Sequence, residues 1–140
     1  MRFSQFLKTF RITTGGLLAE LMGGIMAPGP LAGALITVTY SASMTPNASA
    51  GTDFIITATN NTAFAINAPT GTPPSGYAQT IRITVRNTSG GALGAATFNA
   101  VFKLGAAWTQ PANGFSRTIE FRWNGTNWVE IGRTAADVAN

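Results

Sequence analysis

Ser116-Arg117-Thr118-Ile119-Glu120-Phe121-Arg122-Trp123-Asn124-Gly125-Thr126-Asn127-Trp128-Val129-Glu130-Ile131-Gly132-Arg133 is the run whose pattern decides the fold, and it reads as a β-hairpin. Ile119 and Phe121 alternate with Glu120 and Arg122 before Asn124-Gly125, and Val129 and Ile131 alternate with Trp128 and Glu130 after it. That period of two marks strands with one buried face. A two-residue Asn124-Gly125 turn would set Glu130 opposite Ile119 and Val129 opposite Glu120, mixing charge and hydrocarbon on each face. A three-residue loop, Trp123-Asn124-Gly125, avoids this. With Gly125 at positive φ in a bulge, it pairs Ile119 with Val129 and Phe121 with Asn127. The expected inner face is Ile119, Phe121, Val129 and Ile131, and the expected outer face is Glu120, Arg122, Trp128 and Glu130.

From Leu35 onward the chain consists of short β-prone runs divided by turn residues. The runs are 35–41, 53–59, 62–67, 79–87, 95–98, 101–104, 116–123 and 126–133. Between them lie Asn60-Asn61, Thr70-Gly71-Thr72-Pro73-Pro74-Ser75-Gly76, Ser89-Gly90-Gly91 and Pro111-Ala112-Asn113-Gly114, all turn chemistry. Residues 79–87 alternate most clearly, with Ile81, Ile83 and Val85 inward, and this strand is expected beside the hairpin. Short strands at this spacing predict an all-β body, an antiparallel β-sandwich or jelly roll of about eight strands, over residues 35–140. No repeat of fixed period is visible, which argues against solenoids and propellers.

Residues 1–34 have a different texture. Phe3, Phe6, Leu7 and Phe10 recur at helical spacing, with Ser4, Gln5, Lys8 and Thr9 on the other side, and Leu17, Leu18, Leu21 and Met22 form a second stripe. Gly23-Gly24 breaks that stripe and Pro28-Gly29-Pro30 ends it. The reading is a partly helical apolar arm whose eight large side chains dock on a partner, against the alternative of an arm folded back on its own domain. The basic start and the small residues Ala32-Gly33-Ala34 imitate a secretory signal, but Glu20 interrupts its apolar core. Glu20, the glycine pairs and the prolines also break any membrane-spanning window, so no membrane partner is expected.

Composition narrows the chemistry. The 140 residues include no Cys and no His, which removes thiol and imidazole catalysis and most transition-metal sites; no cofactor is expected. Charged residues make up 10% of the chain, against about a quarter in an ordinary globular domain, so the surface is built from Thr, Ser, Asn and Gly. Such neutral surfaces suit assemblies. The net charge of +4 and pI near 10.4 come from scattered Lys and Arg with no basic cluster, which speaks against nucleic acid. In the expected register Glu120 and Glu130 share a face of adjacent strands, superficially like the carboxylate pair of a retaining glycosidase. Arg117, Arg122 and Arg133 nearby favour a solvated charge ladder instead, and the chain is not expected to be an enzyme. Asn87-Thr88-Ser89-Gly90-Gly91-Ala92-Leu93-Gly94 is Gly-rich, yet no Lys closes it, so it is a loop and not a phosphate cradle. Several Asn-x-Ser/Thr matches, that at Asn87 included, are expected by chance in so Asn- and Thr-rich a chain. Trp108, Trp128 and Tyr77 remain as candidate surface-binding residues, Trp128 first among them. Such rings stack on sugars when displayed at turns, and they equally seal subunit interfaces or cap a core.

The succession Asn87 to Gly94, Phe98-Asn99-Ala100-Val101-Phe102-Lys103-Leu104, Pro111-Ala112-Asn113-Gly114 and Trp123-Asn124-Gly125-Thr126-Asn127-Trp128-Val129-Glu130-Ile131 resembles a small β domain of tailed-bacteriophage virion proteins. The likeness covers about residues 50–134. It implies a structural part located in the virion, often homotrimeric, with no catalytic residues to carry over. Two roles fit. One is a capsid decoration or cement protein that docks through its arm on capsid subunits. The other is a tail fibre or receptor-binding module whose aromatic rings meet host surface glycan.

Overall fold

The computed structural model describes residues 34–140. The arm residues Phe3, Phe6, Leu7, Phe10, Leu17, Leu18, Leu21 and Met22, and the helices expected there, lie outside the described residues. Ten strands follow one another: β1 (Leu35–Val38), β2 (Ser43–Met44), β3 (Asp53–Ala58), β4 (Phe64–Ile66), β5 (Thr80–Asn87), β6 (Ala96–Phe98), β7 (Phe102–Lys103), β8 (Phe115–Trp123), β9 (Trp128–Arg133) and β10 (Val138–Ala139). The described residues are therefore all β. Each of the eight β-prone runs overlaps one of these strands. The two strands that alternation missed, β2 and β10, have two residues each, too few to show a period.

The larger sheet runs β1-β3-β5-β8-β9-β7, with β10 beside β8, and the smaller runs β2-β4-β6. Here the expectation of an antiparallel sandwich or jelly roll is corrected. β1, β3 and β5 are mutually parallel, as are β2, β4 and β6, and β7 is parallel to β9. Antiparallel pairing is confined to β8 with β5, β9 and β10. The first six strands alternate between the two sheets, so the chain winds and each turn adds a parallel strand to both. This solenoid-like winding leaves no fixed period in the sequence because its turns are unequal. One runs from Leu35 to its partner Asp53, and the next, carrying the Pro- and Gly-rich segment 70–76, from Asp53 to Arg82.

Parallel strands are usually covered on both faces and read as continuous apolar runs. Here only the face toward the smaller sheet is covered, so β3 and β5 keep the alternation of an antiparallel strand, with Phe54, Ile56, Ala58, Ile81, Ile83 and Val85 inside. Met44, Phe64 and Ile66 face them from the smaller sheet. Phe98 meets the Phe102 ring edge-on at 5.5 Å, and Phe102 lies 4.8 Å from Phe121, which closes the core under β8 and β9. Gly94 permits the closest backbone approach of the loop after β5: a Cβ there would sit 2.3 Å from the amide nitrogen of Ala63.

The hairpin forms in a register that inverts half of its expected faces. Trp123 stands opposite Trp128, Arg122 opposite Val129 and Phe121 opposite Glu130; the ladder then shifts, so that Glu120 faces Gly132 and Ile119 faces Arg133, leaving Ile131 without a partner strand residue. The loop is Asn124-Gly125-Thr126-Asn127. Asn124 donates its N–H to the Asn127 carbonyl at 3.1 Å, and its Oδ1 accepts from the amides of Thr126 and Asn127. Gly125 has φ 98°, as the loop demanded. Ile119 and Phe121 are buried as expected. Trp128, placed outside by the sequence, is 0% exposed, while Ile131, placed inside, is 54% exposed. Ring packing favours the observed register: Trp123 lies on the face of Ile119 and Phe121 whichever way β9 pairs, and turning Trp128 inward sets its indole, which buries roughly 150–250 Å2, against that ring. Glu130, carried inward by the same register, keeps its charge because Arg133 and a backbone amide receive it.

Candidate binding site

The carboxylates expected to share a face point to opposite sides of the sheet. Glu120 lies outward, where Arg82 bridges it at 3.6 Å and Asp53 at 3.5 Å across three strands. Glu130 lies inward beneath the loop after β7. Its Oε2 accepts from the Gly105 amide at 2.7 Å and from Arg133 Nη2 at 2.6 Å. Arg133 also donates to the carbonyls of Ala106 and Ala107, pinning that loop to β9. The hydrogen bond from Arg133, supported by that from Gly105, holds the Glu130 carboxyl below the usual carboxylate range against the opposing effect of burial. Asp137 is lowered for a similar reason: Arg117 binds it first, and the Ala112 amide second. All four carboxylates of the described residues thus hold strands and loops together, and Arg122, expected to join them, makes no ion pair among the described residues. No group of three or more metal-ligating side chains occurs among the described residues, and no helix there is long and apolar enough to cross a membrane.

Asn87, read from sequence as the first residue of a Gly-rich loop, is completely buried at the end of β5. Its Nδ2 donates to the carbonyls of Gly91 and Pro111, and its Oδ1 accepts from the amide and hydroxyl of Ser89. It is a structural staple between two loops, and burial closes it to glycosylation. The C-terminal segment is fixed to it too: Asn140 donates its side-chain amide to the Asn87 carbonyl.

The three aromatic candidates separate. Trp128 belongs to the core, with its ring 5.2 Å from that of Trp123, and is withdrawn as a surface residue. Trp108 is half-buried; its indole N–H donates to Gln110 Oε1 at 3.0 Å and its ring packs edge-on against Phe98. Tyr77 alone is fully displayed, 69% exposed. It follows a turn closed by its own amide on the Pro74 carbonyl at 3.2 Å, with Gly76 at φ 88° in the position where a type II turn requires a positive angle.

Tyr77 stands at an open depression of about 600 Å3 whose other walls are Arg122, Trp123, Asn124, Val129 and Ile131. The strand pairing explains why distant residues meet there. Thr80 of β5 lies opposite Arg122 of β8, and Arg122 lies opposite Val129 of β9, so the turn before β5 and the loop after β8 overhang one end of the same outer face. Comparisons with protein-family models, with curated proteins and with solved structures find no match.

Proposed function

We propose that this chain is a non-catalytic structural protein of a tailed-bacteriophage virion, a capsid decoration or cement subunit that acts as a homotrimer and docks on the shell through residues 1–34. What supports the reading is a core assembled within the β body itself, from Met44 to Trp128 in sequence. On this reading the core of the body does not need Phe3, Phe6, Leu7, Phe10, Leu17, Leu18, Leu21 and Met22, and their docking role is to other chains. Each large apolar side chain removed from water contributes roughly 1.5–3 kcal/mol before ordering costs, so half of these eight suffice to hold a subunit when trimer partners add avidity. The commitment of every described carboxylate to an arginine agrees with a structural and not a hydrolytic role.

A chain lacking residues 1–34 is expected to stay folded but no longer to join particles, and particles lacking the protein are expected to keep their shape while resisting heat or osmotic shock less well. The open depression at Tyr77 favours a second reading, a tail fibre or receptor-binding module. Particles that lack the protein, stay equally robust and fail to adsorb to host cells would establish that alternative.

A further inference from the structure

The depression beside Tyr77 has the chemistry of a ligand site, and the charge around it says which kind. We propose that it binds an acidic saccharide, a pyranose carrying a carboxylate, with Arg122 as the carboxylate receptor and the Tyr77 ring as the stacking platform. The proposal requires no assignment to head or tail, because it rests on this surface alone.

Three features carry it. Tyr77 presents an exposed ring on a turn whose backbone is stiffened by Pro73 and Pro74, so the point from which the ring projects is fixed before binding. The apolar C–H face of a pyranose fits such a ring, and Val129 and Ile131 extend the apolar floor beside it. Arg122 stands at the same wall without an ion pair among the described residues, whereas Arg82, Arg117 and Arg133 each hold a carboxylate. A guanidinium receives a carboxylate through two parallel N–H donors, a geometry that a lysine could not supply. No acidic side chain lines the depression to compete.

The polar rim suits hydroxyl groups. Asn124 uses its Oδ1 on the amides of its own loop, and its NH2 has no acceptor among the described residues. Gly76 and Gly125 leave the rim bare, since a Cβ at either would meet nothing within 4 Å, and a sugar chain can approach the backbone there. The depression is open, as a site for one or two residues of a longer polysaccharide must be. An acidic peptide would meet the same guanidinium, but it would not use the flat face of Tyr77 against a ring-sized apolar floor.

The test is calorimetric titration of the full-length protein at low salt with a trisaccharide of galacturonic acid, with the neutral galactose trisaccharide of the same linkage, and with a glutamate-rich peptide. The acidic trisaccharide is expected to bind saturably and more tightly than the other two, and more weakly as salt rises. Tyr77→Ala and Arg122→Gln should each weaken it about tenfold or more, Arg122→Gln should erase the preference over the neutral sugar, and Tyr77→Phe should restore binding. Near-UV circular dichroism of the Trp123–Trp128 pair checks that each variant is folded. Absence of saturable binding up to millimolar sugar, binding that both variants retain, or equal binding of the peptide overturns the proposal. Failure here leaves the docking role of residues 1–34 untouched, because that role is read from incorporation into particles.

Discussion

Replacing Trp128 and Ile131 separately by alanine tests the register on which the fold and the depression both depend. Trp128 is 0% exposed and packs against Trp123 in the core, so Trp128→Ala removes a complete indole and leaves a cavity, at a cost of about 3–5 kcal/mol. Its indole N–H has no hydrogen-bond partner among the described residues, so the side chain's stabilisation comes from packing and area, and Trp128→Phe should recover most of the loss. Ile131 is 54% exposed and unpaired in the ladder; Ile131→Ala uncovers little and opens no enclosed cavity, so its cost is about 1 kcal/mol or less. In the opposite register, the one alternation alone suggests, the two costs change places. A domain of this size has a total stability of roughly 5–15 kcal/mol, so Trp128→Ala should lower the melting temperature by more than about 12 °C while Ile131→Ala shifts it by a few degrees. Urea unfolding with an unchanged m-value gives the energies directly. An Ile131→Ala loss equal to or larger than that of Trp128→Ala would refute the register and, with it, the placement of Val129 and Ile131 beside Tyr77.

Two further outcomes follow from the polar contacts. Asn87→Ala removes two donated and two accepted hydrogen bonds and strands the buried Pro111 carbonyl, which should cost about 2–4 kcal/mol in equilibrium denaturation; a loss below about 0.5 kcal/mol would mean that water replaces the side chain freely. The Glu130 carboxyl is held below its usual range in the folded protein, so its contribution is complete above the ordinary carboxylate range and is lost as pH falls through the depressed folded-state value. Glu130→Gln should therefore destabilise by about 1–3 kcal/mol at neutral pH and converge with the wild type in acid, and parallel stability curves for the two proteins would contradict the pairing with Arg133.

Strand positions were legible in the sequence because alternation is local, and segments 79–87 and 116–123 alternate cleanly enough to assign which residues are buried. Strand direction was not. Alternation reports that one face is covered, and a parallel strand in a two-layer winding satisfies that condition as well as an antiparallel one does. The short β2, which makes the second layer possible, carries too few residues to announce itself. In β9 alternation pointed to Val129 and Ile131 inward and the opposite parity formed, because the choice depended on what lies across the sheet. Trp123 awaited a partner there, and Arg133 could follow Glu130 inward; neither fact is written in the spacing. At the depression, Tyr77 and Arg122 were each legible, one from its turn and one from its place on an outer face. Their proximity comes from the pairing of Thr80 with Arg122, a contact between residues far apart in the chain.

The scarcity of charge gives meaning to a cation left unpaired among the described residues. In a domain with a quarter of its residues charged, an arginine without a carboxylate is ordinary, because others of both signs lie within a screening length of about 8–10 Å. Here the described residues offer four carboxylates, and all four are taken: two by Arg82 across the open face, one by Arg133 under the loop, one by Arg117 at the C-terminal strand. Of the cations left over, Lys103 turns its ammonium onto the Ala100 carbonyl, and Arg86 has its Nε shielded from solvent. Arg122 differs from both in standing beside an exposed ring and an apolar floor. A partner that brings its own carboxylate to that wall meets no competing acid lining it, and one that brings a cation there is repelled by the guanidinium. The arrangement therefore selects for the sign of the ligand before shape is consulted, and the apolar floor then selects among acids for those with a flat hydrocarbon face.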